Sequence, residues 1–305
     1  MALRTVLIGQ AAFAEQVLRG LLERGHEVAA VYCPPDAGGR PDPLRALAVA
    51  SGLTCHQPAS YKSDAVRNEM VALAPDLLIL AYVTKIVPQA VIEVPRLGSI
   101  CFHPSLLPRY RGGSAINWQL IRGETTGGVT VFWPDAGIDT GPILLQKEVP
   151  IGPDDSAGSL YYQRIFPLGV EAVLESIALI EAGRAPRVSQ DEGRATYDPL
   201  CRDEHAAVDW GAPAHVVHNL IRGCDPQPGS HTSAGGQRLR LYESRRCAGS
   251  GAPGAILTIE GGGLVVAAGD GAVRVGKARV EGAKEKQAAA EVAAALGLRA
   301  GSRLG

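Results

Sequence analysis

Apolar positions in the first part of the chain switch between a strand period and a helix period. A short β-rich run, Thr5 to Ile8, stops at Gly9-Gln10, and from Phe13 to Leu22 apolar residues recur at helical spacing before Gly25. Glu27 to Tyr32 then reads as a strand, Pro43 to Ala50 as a helix, and Asp76 to Tyr82 as the continuous apolar run of a strand buried on both faces. Such alternation predicts a parallel sheet with helices on its faces, a Rossmann-like α/β domain over residues 1–200. From Glu181 to about Cys201 the composition shifts to Gly, Arg, Pro and Ser, which predicts a linker over about 182–205. A short helical stretch, Ala212 to Ile221, precedes four short β-like runs separated by Gly-rich turns: Leu239 to Tyr242, Ala255 to Ile259, Leu264 to Ala267 and Val273 to Val275. That pattern predicts a small β-rich, barrel-like (OB-like) C-terminal domain over residues 206–305.

Composition narrows the class. Apolar residues make up 46% and charged residues 20% of the 305, the balance of a folded globular protein. The 30 Lys and Arg against 31 Asp and Glu demand no polyanionic partner, so a small-molecule substrate is expected. The apolar run before Gly9 is too short for a signal peptide and no later stretch is long enough to span a bilayer, which places the protein in the cytoplasm with no membrane partner. The six cysteines are scattered without close pairing and are expected to be reduced thiols. His215 and His218 lie three apart but lack further ligands at metal spacing, so no metal is expected. The first βα turn, Gly9 to Ala14, has one glycine where a dinucleotide site needs three, and Gly9 reads as a tight-turn residue.

Two segments carry candidate chemistry. Ser99-Ile-Cys-Phe-His103-Pro-Ser-Leu-Leu-Pro-Arg-Tyr-Arg-Gly-Gly113 is a β run ending in a histidine and then a Pro-bounded loop. Open α/β sheets bind ligands beyond the carboxyl ends of their strands, so His103 can face a crevice; a satisfied structural histidine fits the same position. Val129-Thr-Val-Phe-Trp133-Pro-Asp-Ala-Gly-Ile-Asp139-Thr-Gly-Pro142 runs a strand into a turn with two carboxylates, Asp135 and Asp139, either of which can be ordinary turn chemistry.

Together, with His103 and Asp139 spaced 36 residues apart, these strings resemble the core signature of the 10-formyltetrahydrofolate-using formyltransferases. The nearest likeness is to the hydrolase domain of 10-formyltetrahydrofolate dehydrogenase. It extends through Val6 to Gln10, His103 to Gly112, Ser114 to Trp118, Leu144 to Lys147, Ala195 to Tyr197 and His218 to Gly223, and so covers nearly the whole chain. The resemblance implies 10-formyltetrahydrofolate as formyl donor. It implies that His103 hydrogen-bonds the tetrahedral oxyanion and that Asp139 orients His103 and helps move protons. It also implies a pterin slot with Lys85, Ile86 and Val87 on one side, Ser105, Leu106, Leu107 and Pro108 on another, and Ile138 closing it. The apolar members of that set suit plain core packing equally well.

One position departs from the transferases in the family: Cys101 stands where most have Asn. A thiol is a weak donor, so losing the amide removes roughly 3 kcal/mol of transition-state stabilisation unless another group replaces it. Cys101 can instead be a small buried hydrophobe or a nucleophile. The acceptor stays open among a small-molecule amine, water, and tRNA, and a non-catalytic folate-binding protein is the alternative of another class. Transfer to an amine is the leading expectation. From Ala206 onward 12 Lys and Arg face 8 Asp and Glu, a mild excess that makes nucleic-acid contact possible without requiring it. A chain of 305 residues has no room for the dehydrogenase's further domains, so dehydrogenase activity is not expected. Oligomeric state is not encoded in any feature of the sequence.

Overall fold

The computed structural model describes residues 2–36 and 38–305; Met1 and Ala37, the latter inside the Pro34 to Pro43 loop, lie outside the described residues. In chain order the first elements are β1 (Arg4–Gly9), α1 (Ala11–Glu23), β2 (Glu27–Tyr32), α2 (Pro43–Ala50), β3 (Cys55–His56), α3 (Asp64–Leu73), β4 (Leu77–Ala81), α4 (Gln89–Ile92) and β5 (Ser99–His103). They are followed by α5 (Ala115–Ile121), β6 (Thr126–Phe132), β7 (Ile143–Pro150), α6 (Ala157–Leu160) and α7 (Phe166–Glu181). The chain ends with α8 (Ala214–Gly223), β8 (Ser230–Ala234), β9 (Gln237–Cys247), β10 (Ile256–Glu260), β11 (Gly263–Ala267), β12 (Ala272–Val280), β13 (Gln287–Ala288) and α9 (Ala289–Ala295). The described chain divides into two compact units that interleave along the sequence: residues 1–113, 128–149 and 164–197, and residues 114–127, 150–163 and 198–305.

The first unit is built on a seven-stranded sheet of order β3-β2-β1-β4-β5-β6-β7. β1 pairs in parallel with β2 and β4, and β4 with β5, but β6 runs antiparallel to β5, matching Cys101 to Phe132 and His103 to Thr130. The sheet is therefore mixed, because strand direction depends on the return path of the chain and not on hydrophobic period. Every residue of β4 is buried, as its unbroken apolar run demands. Strand order reverses between β1 and β4, the switch point where open α/β sheets place their ligand crevice.

Gly9 has a different reason from a tight turn. The left-handed residue is Ala11 (φ +58°), while a Cβ on Gly9 would stand 2.4 Å from the Ala81 carbonyl and 2.5 Å from the Ala14 methyl. Close approach of helix to sheet requires the glycine.

The second unit packs α8 and α9 on an antiparallel sheet of order β10-β11-β12-β9-β8, with β13 paired to β12. Its core gathers Trp210, Val217, Ile221, Leu241, Val266 and Val273. Ala214, Val217, His218 and Ile221 recur at the i, i+3, i+4, i+7 spacing of one helix face, and all four are buried. Among the described residues no helix is long and apolar enough to cross a membrane.

Candidate active site

Alternation along β5 puts Cys101 and His103 on one face and Phe102 on the other. Phe102 is anchored by stacking on Phe13, ring centroids 4.3 Å apart, beneath Gly169, whose missing side chain leaves room for both rings. Packing on the apolar face thus sets the direction of His103.

The His103 ring is buried and its two nitrogens have different surroundings. Nε2 lies 2.7 Å from the Tyr110 carbonyl. A carbonyl only accepts, so Nε2 carries a proton and Nδ1 is the nitrogen left for chemistry. Nδ1 faces Asp139, with Oδ2 at 3.5 Å, an ion-pair distance longer than a normal hydrogen bond. The same Oδ2 accepts the Gly112 N–H at 2.8 Å. Both partners sit on left-handed backbone, Tyr110 at φ +60° and Asp139 at φ +57°, a conformation costly for non-glycine residues and typical of functional sites. The other aspartate of the turn is different: Asp135 accepts from the Gly137 N–H at 3.0 Å and the Thr140 hydroxyl at 2.5 Å, closing the turn on itself.

The loop after His103 is pinned from below. The Thr130 hydroxyl donates to the Ser105 carbonyl (2.6 Å) and accepts from the Leu107 N–H (3.1 Å) and the Gln146 amide (2.9 Å). Gln146 also donates to the Leu107 carbonyl at 2.8 Å, and the Ser105 hydroxyl donates to the Arg109 carbonyl at 2.7 Å. Leu106 packs over Gly128, where a Cβ would come within 2.5 Å of its Cδ2. Leu107 and Pro108 are buried. Cys101 is half-buried, and burial followed by the Asp139 charge pushes its thiol well above the ordinary range, so it stays protonated at neutral pH. The thiol makes a weak bond to the Phe102 carbonyl at 3.7 Å.

The stretch expected on the opposite wall lies on the loop after β4. Lys85 Nζ donates to the Ala59 carbonyl at 2.8 Å, Thr84 bonds Gln10 at 3.3 Å, and Val87 is buried beside Leu80 and Val91. Ile86 is 67% exposed and Ile138, next to Asp139, is 51% exposed. His103, Asp139 and the 105–112 loop are thus brought together by direct bonds, and Val87, Leu107 and Pro108 are buried. Thr130, Gln146 and the carbonyl of Tyr110 were not given roles by sequence, although each lies in a stretch that carries the family resemblance.

At the first βα turn both carboxylate oxygens of Asp42 accept the Ala11 N–H (3.0 and 2.9 Å), and Asp42 also caps α2 through the Leu44 N–H. A carboxylate of the chain itself occupies the place where a dinucleotide would set its phosphates. His218 is buried with Nδ1 on the Ser244 hydroxyl (2.9 Å) and Nε2 on the Pro153 carbonyl (2.8 Å), while His215 is exposed. Among the described residues no group of three potential metal ligands occurs.

The sheet is a mixed α/β one, and the imidazole–carboxylate pair stands at the carboxyl end of a central strand, where open α/β sheets place their ligand crevice. The chain belongs to the formyl transferase family: the formyl transferase domain matches residues 3–177 and the formyl transferase C-terminal domain matches residues 201–295. The formyl donor in this family is 10-formyltetrahydrofolate. The chain is similar to cytosolic 10-formyltetrahydrofolate dehydrogenase of Xenopus tropicalis, 41% identical over 82% of this chain, of which it spans only 28%. It is also similar to methionyl-tRNA formyltransferase of Trichlorobacter lovleyi, 39% identical over 95% of this chain and 93% of that protein. In fold it is similar to HypX of Aquifex aeolicus solved with tetrahydrofolic acid, with a TM-score of 0.71 at 22% identity over 96% of this chain and 47% of HypX.

Proposed function

We propose that the protein transfers the formyl group of 10-formyltetrahydrofolate to a small-molecule amine, releasing tetrahydrofolate. The observation that carries this reading is the His103 ring: with Nε2 committed to the Tyr110 carbonyl, Nδ1 is the working nitrogen, and it points at Asp139 across a gap of 3.5 Å. In this reading the amine attacks the formyl carbon, the new C–N bond forms and the carbonyl electron pair moves to oxygen. His103 as an imidazolium donates from Nδ1 to that oxyanion. Asp139 orients the ring and takes part in moving the proton lost by the amine to the departing N10 as the C–N10 bond breaks. Ile86, Ile138 and Leu106 line the pterin slot together with the backbone of Ser105 to Pro108, and Lys85 marks its edge. Residues 1–200 carry the chemistry, 206–305 form the C-terminal domain, and the enzyme works in the cytoplasm.

Hydrolysis to formate and tetrahydrofolate is a second reading, favoured by Cys101. A neutral thiol supplies little of the stabilisation that an amide would give the oxyanion, and water needs no acceptor pocket. The full-length likeness to a methionyl-tRNA formyltransferase supports tRNA as a third acceptor.

Incubation of the pure protein with 10-formyltetrahydrofolate separates these readings, following tetrahydrofolate and formate. Tetrahydrofolate release that depends on an added amine supports transfer. Equal formate and tetrahydrofolate without acceptor indicates hydrolysis, release that needs charged initiator tRNA indicates tRNA formylation, and folate binding with no release under any condition contradicts an enzymatic role.

A further inference from the structure

The stretch from Glu181 to Cys201 reads as linker, yet part of it is bonded into the two motif loops. The Gln190 amide nitrogen donates to the backbone carbonyls of Asp139 (2.9 Å) and Gly141 (2.7 Å). Its amide oxygen accepts from Arg111 through Nε (3.3 Å) and Nη2 (2.8 Å). Because guanidinium only donates and carbonyls only accept, the amide has a single satisfactory orientation. Arg111 is buried and forms a forked pair with Glu192, at 3.0 Å and 2.6 Å. Thr196 closes the arrangement: its hydroxyl accepts the Tyr110 N–H at 2.7 Å, and its carbonyl accepts the Arg111 N–H at 2.9 Å.

Arg111 lies between Tyr110, whose carbonyl holds His103 Nε2, and Gly112, whose N–H holds the Asp139 carboxylate. Gln190 thus ties the loop that sets the imidazole to the turn that sets the carboxylate. Asp139 adopts left-handed backbone without being glycine, and the Gln190 amide holds two carbonyls of that turn from outside it, in addition to the turn's own Asp135 bonds. We infer that Gln190, oriented by the Arg111–Glu192 pair, is a positioning residue that holds Asp139 toward His103 Nδ1. This rests on His103 and Asp139 forming the working pair.

The test is a double-mutant cycle of Gln190→Leu with Asp139→Ala, reading kcat and KM for 10-formyltetrahydrofolate on folded protein. Gln190→Leu is expected to lower kcat about 10-fold to 100-fold, as for a misplaced catalytic group, with KM changed by less than about twofold. In the Asp139→Ala background it should cause no further loss. Equal loss in both backgrounds, or a change confined to KM, overturns the positioning role while leaving the His103–Asp139 pair intact. If Asp139→Ala itself turns over normally, the working pair and the positioning role fall together. Should Gln190→Leu not fold, Gln190→Glu keeps the size and the contact with Arg111. Its ionised carboxylate opposes two carbonyls, so its kcat relative to wild type should recover as pH falls and the carboxyl regains a donor; a pH-independent ratio overturns the inference.

Discussion

Ser105 to Pro108 and Lys85 to Val87 are the two stretches expected to flank folate, and they are built in opposite ways. In the first, the polar backbone is met bond for bond: Thr130 and Gln146 between them satisfy the Ser105 carbonyl and both backbone groups of Leu107, and the side chains are buried or half-buried. In the second, Lys85 reaches to a distant carbonyl, Val87 disappears into the core, and Ile86 stands in solvent. A buried hydrogen-bonded loop has one low-energy arrangement, because each bond removed leaves a desolvated group unpaired. An exposed loop carrying one apolar side chain can adjust at small cost. The contrast is between a fixed loop following His103 and an adjustable one after β4.

Four substitutions probe that division, from the largest effect to the smallest. His103→Ala should lower turnover by at least about 100-fold, as for loss of an oxyanion partner, with the far-UV spectrum unchanged; near-normal turnover in folded protein would remove the imidazole from the reaction. Thr130→Val keeps the shape but strips the hydroxyl from three partners, and urea unfolding should show a loss of about 1–3 kcal/mol. An unchanged midpoint would mean the loop does not depend on its hydrogen bonds. Ile86→Ser should leave stability within about 0.5 kcal/mol while weakening folate binding roughly fivefold, the worth of about 1 kcal/mol of apolar burial. Calorimetry with a folate analogue checks this, and equal affinity would take residue 86 out of the slot. Cys101→Ala should change turnover by less than about threefold, since a protonated thiol donates weakly. Abolished activity together with a formyl thioester seen by mass spectrometry would make Cys101 a nucleophile.

What the sequence reveals of this site follows from what local pattern can encode. The buried strand Leu77–Ala81 and the helix Pro43–Ala50 were legible because period and flanking residues reflect burial directly. The reversed direction of Thr126–Phe132 was not, since alternation is the same read either way. Asp135 and Asp139 look alike as turn residues, and only the fold separates the one that closes the turn from the one that faces His103. Gln190 and Glu192 lie in a Gly, Arg, Pro and Ser stretch whose composition reports exposed backbone and says nothing of partners 50 to 80 residues away. Val87 and Leu107 fit both a pocket and a core, and the fold packs them inside.

The central claim is that His103 and Asp139 act as one unit, and single-turnover release of tetrahydrofolate from bound 10-formyltetrahydrofolate, with the acceptor that supports release present, tests it most directly. Wild type, His103→Ala, Asp139→Ala and the double variant are compared at saturating donor. Groups that act together are not additive, so the account predicts that the double variant is no slower than His103→Ala alone; losses that multiply would mean that the two side chains work independently.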